Sequence, residues 1–259
     1  MYDFLLEGTV IRTLVVAILV VVFGLARLSA ERTLSEQHRQ AYFRAVKLGL
    51  DLREQIGQLG FLAALSGFRS LVADLLFVQA HVAWERVEWG RVLLLLRQVT
   101  TLQPRSILFW DMAAWHMGWN ASVAAINDPN QPRVFLRRKA QLEYFALSKD
   151  FLERGIKNIP DRPQLYETLA RLYREKYFDH ARAAEYFGKA ARLPGAPSYD
   201  ERFAAYELSY CEDRQREAYV RLHQLYLRGE QERLPTLLSR LKFLEEKLNV
   251  PLDQRIPAR

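Results

Sequence analysis

Residues 160–194 read PDRPQLYETLARLYREKYFDHARAAEYFGKAARLP, opening on Pro160 and closing on Pro194. Two amphipathic runs lie between the prolines, Gln164 to Glu175 and His180 to Arg192, and apolar residues recur in each at helical spacing. Two helices and a turn between prolines so spaced are one helical hairpin, and hairpins repeated at a period of about 34 residues stack into a solenoid. Toward the N-terminus, Pro104 precedes Pro160 by that same period plus an insertion of about 22 residues. Trp110 follows Pro104 by six residues and Tyr166 follows Pro160 by six, so the aromatic recurs with the proline. Both aromatics are therefore expected at the start of a first helix, largely buried between pairs.

The rest of the chain is read outward from this register. A first hairpin is expected from Leu71 to Thr101, its helices meeting near Glu88-Trp89-Gly90. The second opens with Ile107 to Asn120, is interrupted by a loop from Ile126 to Arg138, and returns from Lys139 to Ile156, which places the insertion near residues 121–142. Pro194-Gly195-Ala196-Pro197 closes the third, and Ser198 or Asp200 is expected to cap the helix that follows. Two or three further helices reach Leu248, broken at Gly229 and near Pro235, before a loose tail from Asn249.

The N-terminus supplies an address. Thr13 to Ala26 carries no charge, and Arg12 and Arg27 bracket it. Extended to Thr9 and Leu28, the run reaches the length of about 20 residues that a helix needs to span a bilayer. An uncleaved anchor within residues 1–30, inserted through residues 9–28, is the expectation; a cleaved signal peptide is the rival. Residues 31–66 read as a linker or stalk helix, with Ala41, Ala45, Leu48 and Leu52 at helical spacing. A second span from Phe61 to Trp84 is disfavoured by Arg69, Asp74 and His81 within it. The location implied is the inner, cytoplasmic membrane in a single pass. Arg27, Arg32, Arg39, Arg44 and Lys47 after the span put the larger domain on the cytoplasmic side by the positive-inside rule, whereas signal-anchored bacterial proteins of this layout often run the other way.

The hairpins resemble tetratricopeptide repeats. In the best-matching one, Tyr166, Leu169, Ala170 and Tyr173 occupy the aromatic and small positions of that family's first helix, and Ala183, Phe187 and Ala190 those of its second, before Pro194. The resemblance covers Leu71 to Pro194 and implies repeats over 67–196, followed by C-terminal helices and tail over 197–259. Gly67-Phe68-Arg69, Ala73-Asp74-Leu75-Leu76, Leu102-Gln103-Pro104-Arg105 and Trp110 to Asn120 together resemble membrane-anchored bacterial repeat proteins of no assigned activity. The implied fold class is all-α, an N-terminal transmembrane helix followed by a tetratricopeptide-like solenoid.

In such repeats the first helix of each pair lines the concave face. On these registers Asp74, Phe77, His81 and Trp84 project from the first pair, Asp111, Trp115 and Trp119 from the second, and Glu167, Arg171 and Arg174 from the third. An aromatic groove with a basic end suits a protein segment carrying an acidic or C-terminal group. The groove expected to bind a protein partner therefore comprises Phe77, His81, Trp84, Asp111, Trp115, Trp119, Arg171 and Arg174; the competing reading makes these aromatics core. His38, His81, His116, His180 and His223 never pair at i+3 or i+4, and the single Cys211 allows no internal disulfide or Cys-rich cluster, so no cofactor or metal is expected. No phosphate loop, G-x-S-x-G or H-E-x-x-H occurs, so the chain is read as a non-enzyme. The net charge of +7 is spread over helix faces, and no nucleic-acid partner is expected. Arg137-Arg138-Lys139 is the densest basic cluster and Glu245-Glu246 reads as solvated helix charge. The functions expected are a membrane-anchored scaffold that binds a partner in assembling an envelope complex or, alternatively, a stable accessory subunit of a secretion or pilus machine.

Overall fold

Small residues decide how the first hairpin closes. A computed structural model describes residues 68–257 together with Gln58. In helix α1 (Arg69–Glu85) the buried face is Ala73, Leu76, Ala80 and Ala83, a narrow stripe that lets helix α2 (Trp89–Leu102) approach closely. The turn is a Schellman motif. The N–H of Glu88 donates to Ala83 O and that of Val87 to Trp84 O, both at 2.9 Å. Val87 takes the left-handed position at φ 60°, although Gly90 is the turn glycine the sequence offers; Gly90 lies in the first turn of α2.

The described residues are all-α. After α2 come α3 (Ile107–Trp115), a π-helical segment His116–Ala121, α4 (Ser122–Ile126), α5 (Val134–Asn158), α6 (Pro163–Leu172), a second π segment Tyr173–Tyr177, α7 (His180–Ala190), α8 (Tyr199–Leu208), α9 (Gln215–Leu227) and α10 (Pro235–Lys247). Helices pack mainly on their neighbours in sequence: α1 on α2, the α3–α4 rod on α5, α6 on α7, then α7 on α8, α8 on α9 and α9 on α10. Contacts of α3 with α6 tie successive hairpins together.

The insertion between Pro104 and Pro160 has a concrete structural form. The rod from α3 to α4 runs to Ile126 and α5 already begins at Val134, so only residues 127–133 are loop. The interruption expected over 126–138, and the insertion near 121–142, are therefore mostly added helical length. Helix α5, at 25 residues, is about 37 Å long and lies along the whole rod. Its close approaches use the smallest side chains. A Cβ on Gly155 would stand 2.9 Å from Trp110 Cγ, and one on Gly118 2.6 Å from Ser148 Oγ. Ser148 turns its hydroxyl onto Ala114 O at 2.8 Å, which satisfies it in the core.

The proline–aromatic recurrence is a repeated hydrogen bond. Trp110 Nε1 donates to Pro104 O at 2.9 Å, and Tyr166 Oη donates to Pro160 O at 3.0 Å. Trp110 is buried, wedged against Phe151 and under Arg154. Tyr166 is only half-buried, contrary to expectation, although it makes the same bond.

The C-terminal part corrects several readings. Ser198 stands at the N-cap of α8 without a side-chain bond, and Asp200 is buried within its first turn. The tail is docked: Val250 and Ile256 are buried and Glu245 Oε1 accepts the Ile256 N–H at 2.8 Å. Glu245 is thus a buried acceptor, not a solvated charge. The sequence pattern misses it because a carboxylate that caps a returning stretch of chain looks like any helix Glu. Arg69 and Asp74, an oppositely charged pair near the start of α1, form no bond to each other among the described residues. The anchor over 1–30 and the stalk over 31–66 lie outside the described residues; among the described residues no helix is long and apolar enough to cross a membrane.

Trp110→Ala is expected to lower unfolding stability by about 3–5 kcal/mol, since it empties a fully buried indole site. Tyr166→Phe should cost about 1 kcal/mol, the worth of one net hydrogen bond, and Trp110→Phe, which loses that bond and part of a buried ring, should cost more than Tyr166→Phe and less than Trp110→Ala. Urea denaturation of the three variants checks both; equal losses for Trp110→Ala and Trp110→Phe would show that packing of the indole is not what holds α3 on α5.

Candidate functional site

The first-helix positions of the three N-terminal hairpins carry the expected groove residues, and the structure sorts them into two groups. Phe77 of α1 meets Phe109 of α3 with ring centroids 5.1 Å apart. Trp84 contacts Trp115 at 6.5 Å and His116 at 5.3 Å, and His81 lies 4.9 Å from Trp84. His81 is exposed and sits 3.7 Å from Glu85. Trp115 keeps 37% of its surface accessible. Phe77, His81, Trp84 and Trp115 form the accessible part of one patch across α1 and α3. Buried at its floor, His116 has its pKa lowered to about 4 by burial and then by His81, so it is neutral; its Nδ1 lies 3.3 Å from Asn120 Nδ2.

The second group is held by charge and hydrogen bonds across two π segments. Trp119 sits in the first, and Arg174, Glu175 and Lys176 in the second. Trp119 Nε1 donates to Glu175 Oε2 at 2.9 Å, and Arg174 Nη2 donates to Glu175 Oε1 at 2.8 Å. The Lys176 ammonium lies 5.2 Å from the Trp119 ring centre. Burial raises the Glu175 pKa, but the bonds from Arg174 and Trp119 with the Arg174 and Arg171 charges outweigh it and leave the carboxyl below its usual range. Burial lowers the Lys176 pKa, with Glu175 opposing. Arg174 also reaches Glu207 at 3.8 Å and lies over Phe187 and Phe203. Glu207, almost fully buried, is bonded to His180 Nδ1 at 2.7 Å.

The α-helical register treats Trp115 and Trp119 as one stripe. The π turn between them adds a residue to the turn and rotates Trp119 away, toward Glu175 of the next hairpin. Trp115 accordingly faces the α1 patch and Trp119 the α6 side. Asp111 is tied as well, accepting from Thr168 Oγ1 at 2.6 Å. Arg171 is exposed and makes no ion pair among the described residues. Of the eight groove residues, Trp119, Asp111 and Arg174 are therefore joined to structural partners, while Phe77, His81, Trp84, Trp115 and Arg171 present accessible surface.

Glu175, Lys176, Glu207 and His180 are not among the expected site residues. A signal for Glu175 exists: it stands 56 residues after Trp119, the same offset that separates Pro104 from Pro160. Residues at equivalent places in successive hairpins face each other, and Asp111 with Thr168 follows the rule within one residue.

A third cluster lies where α6 meets α8. Tyr199 Oη donates to Glu167 Oε2 at 2.9 Å. The neighbouring Asp200 is fully buried against the Glu167 carboxylate, and its carboxyl oxygens meet no other hydrogen-bond partner among the described residues. Burial, then the adjacent Glu167 carboxylate, raises the Asp200 pKa to about 7.

No family model and no curated protein sequence matches this chain.

The folded chain holds the Asp200 proton to higher pH than the unfolded chain does, so the stability due to this group is full at acid pH and falls as pH rises from about 4 to about 7. Asp200→Asn should flatten the dependence of melting temperature on pH in that window and raise the melting temperature at pH 8. A variant that melts with the wild-type pH profile would show that another group titrates there.

Proposed function

We propose that the chain is a membrane-anchored, tetratricopeptide-like scaffold that binds a protein partner through the open aromatic patch of its first two hairpins and contributes to assembly of an envelope complex. The observation that carries this reading is the patch itself. Phe77, Trp84 and Trp115 come from successive first helices, remain partly accessible, and adjoin exposed His81. Accessible aromatics are among the residue types that dominate protein interfaces. Neighbour-on-neighbour packing of the helices and the recurring proline–aromatic bond support the repeat architecture. The apolar run over residues 9–28 and its flanking arginines support the anchor. The groove chemistry is that of binding, and the reading assigns the chain no catalytic residue and no cofactor.

A second reading, a stable accessory subunit of a secretion or pilus machine, is favoured by one feature. Phe68, Leu71, Leu75, Val78 and Val82 form an exposed apolar stripe along α1, and permanent interfaces are more apolar than transient ones.

Removal of residues 1–30 should release the protein from the membrane fraction as a folded helical domain. A truncated chain found only in membranes or aggregates would mean that the anchor is wrongly placed.

Proximity labelling from the C-terminus identifies the partner and the membrane side together, and a photo-crosslinker at position 115 then reports whether the patch touches it. Trp115→Ala and Trp84→Ala should each weaken that complex by about 2 kcal/mol, roughly thirty-fold, with unchanged circular dichroism. Wild-type affinity in both variants would refute the patch as the binding surface. Constant stoichiometry through purification would select the accessory-subunit reading.

A further inference from the structure

The tip of the long second hairpin leans on the start of α2, and a cleft of about 600 Å³ lies between them, inside the range of about 300–1,000 Å³ typical of ligand pockets. Its walls come from α2, the end of α4, the loop over residues 127–131 and the first turns of α5. None of them belongs to the aromatic patch, so the cleft goes beyond the function proposed above.

Two donors on this wall lack acceptors. Trp89 Nε1 and Arg137 Nε are buried and have no hydrogen-bond partner among the described residues. Arg137 forms no ion pair among the described residues, whereas its neighbours in the basic cluster are engaged: Arg138 with Gln141, and Lys139 with Glu143. The carboxylate on the wall, Asp128, is committed to the loop, where it accepts the Asn130 N–H at 2.9 Å. Tyr144 adds a hydroxyl, kept protonated because burial and then Glu143 raise its pKa. Ala125, Leu136 and Ala140 supply apolar wall.

Buried donors without acceptors are rare in folded proteins, and two on one wall call for an acceptor. The group that matches a guanidinium fork is a carboxylate or a phosphate. One Arg, with the Asp128 charge elsewhere on the same wall, matches no more than a singly charged anion, and the alanines and Leu136 match an apolar body, which selects the carboxylate. We propose that this cleft binds the carboxylate of an apolar amino-acid residue, with Arg137 and Trp89 donating to it and Ala125, Leu136 and Ala140 packing its side chain. That carboxylate is supplied by a small N-acylated amino acid or by the C-terminus of a protein.

The test is a titration of the full-length, ¹⁵N-labelled chain in detergent. The probes are N-acetyl-leucine, the hexapeptide of five glycines and a terminal leucine, and the C-terminal amide of each. The readout is the Trp89 indole N–H resonance, identified by its loss in Trp89→Phe. Both free carboxylates are expected to move that resonance and the amides at equal concentration are not. Arg137→Gln should raise the dissociation constant at least ten-fold, and Arg138→Gln should leave it within two-fold. Tighter binding of the hexapeptide supports the site with a protein C-terminus as its source; equal binding supports it with a small acid. Acids and amides that bind alike, or an unmoved indole resonance, overturn the proposal on the wild-type chain alone, whatever the variants do to folding. An unchanged dissociation constant in a folded Arg137→Gln variant overturns it as well.

Discussion

The seating of Trp110 on Gly155 is the constraint on which the long hairpin depends. The glycine is helical, and its value is space: a methyl group there would meet the indole at 2.9 Å. With the space open, the indole fills the gap between α3 and α5, lies tilted against Phe151, and turns its N–H back to the carbonyl of Pro104. One side chain thereby fixes the depth at which two helices pack and the path by which the chain enters the first of them. Proline is suited to the accepting end because its rigid ring sets the direction of the carbonyl before the helix begins. Ser148 against Gly118 repeats the device two turns away, with a hydroxyl satisfied on Ala114 O. Two close approaches on one helix face leave α5 a single register along the rod, because sliding by a turn would drive a larger side chain into each gap.

The two π segments then determine which aromatics serve the stack and which remain accessible. Each falls near the end of a first helix, after Trp115 and after Leu172. An extra residue in the turn is costly in backbone geometry and persists where side-chain contacts hold it. Here those contacts are Trp119 to Glu175 and Lys176, with Arg174 on Glu175 and Glu207. Charge and indole are consumed in tying the second hairpin to the third. Trp115, just before the extra residue, keeps its place facing Trp84 and the α1 edge, and among the described residues no charged group bonds it.

How much of this is legible in the sequence follows from what each feature leaves as a trace. The proline–aromatic offset is legible because the bond it makes is local, six residues long in both hairpins, and repeats with the period. The helix pairs are legible for the same reason: alanines at 73, 80, 83, 183 and 190 mark the close faces. The π turns leave no trace in hydrophobic periodicity, since one added residue in a turn is indistinguishable from ordinary scatter, and the error propagates to every groove residue beyond it. The left-handed turn at Val87 is illegible because a β-branched residue there contradicts its own preference, and the Schellman bonds impose it. Glu245 and Asp200 are illegible for a different reason. Burial of a carboxylate is decided by what docks over it, the tail in one case and α6 in the other, and composition carries no record of that.

The length of the second hairpin connects these observations. Its extra residues lengthen both helices beyond the point where the third hairpin turns. The near part of the extension carries the π segment and Trp119, which reach to the third hairpin. The far part carries α4, the 127–131 loop and the start of α5, which close over Trp89 of the first. Satisfied polar groups on one side and unsatisfied donors on the other follow from that placement. Toward the third hairpin the extension meets another helix, whose Glu175 and Lys176 answer its indole. Toward the first it overhangs the beginning of α2, where an indole N–H and a guanidinium N–H on the wall stay unbonded among the described residues. A packed interface is completed from within the chain; a cleft with donors left over is completed from outside it.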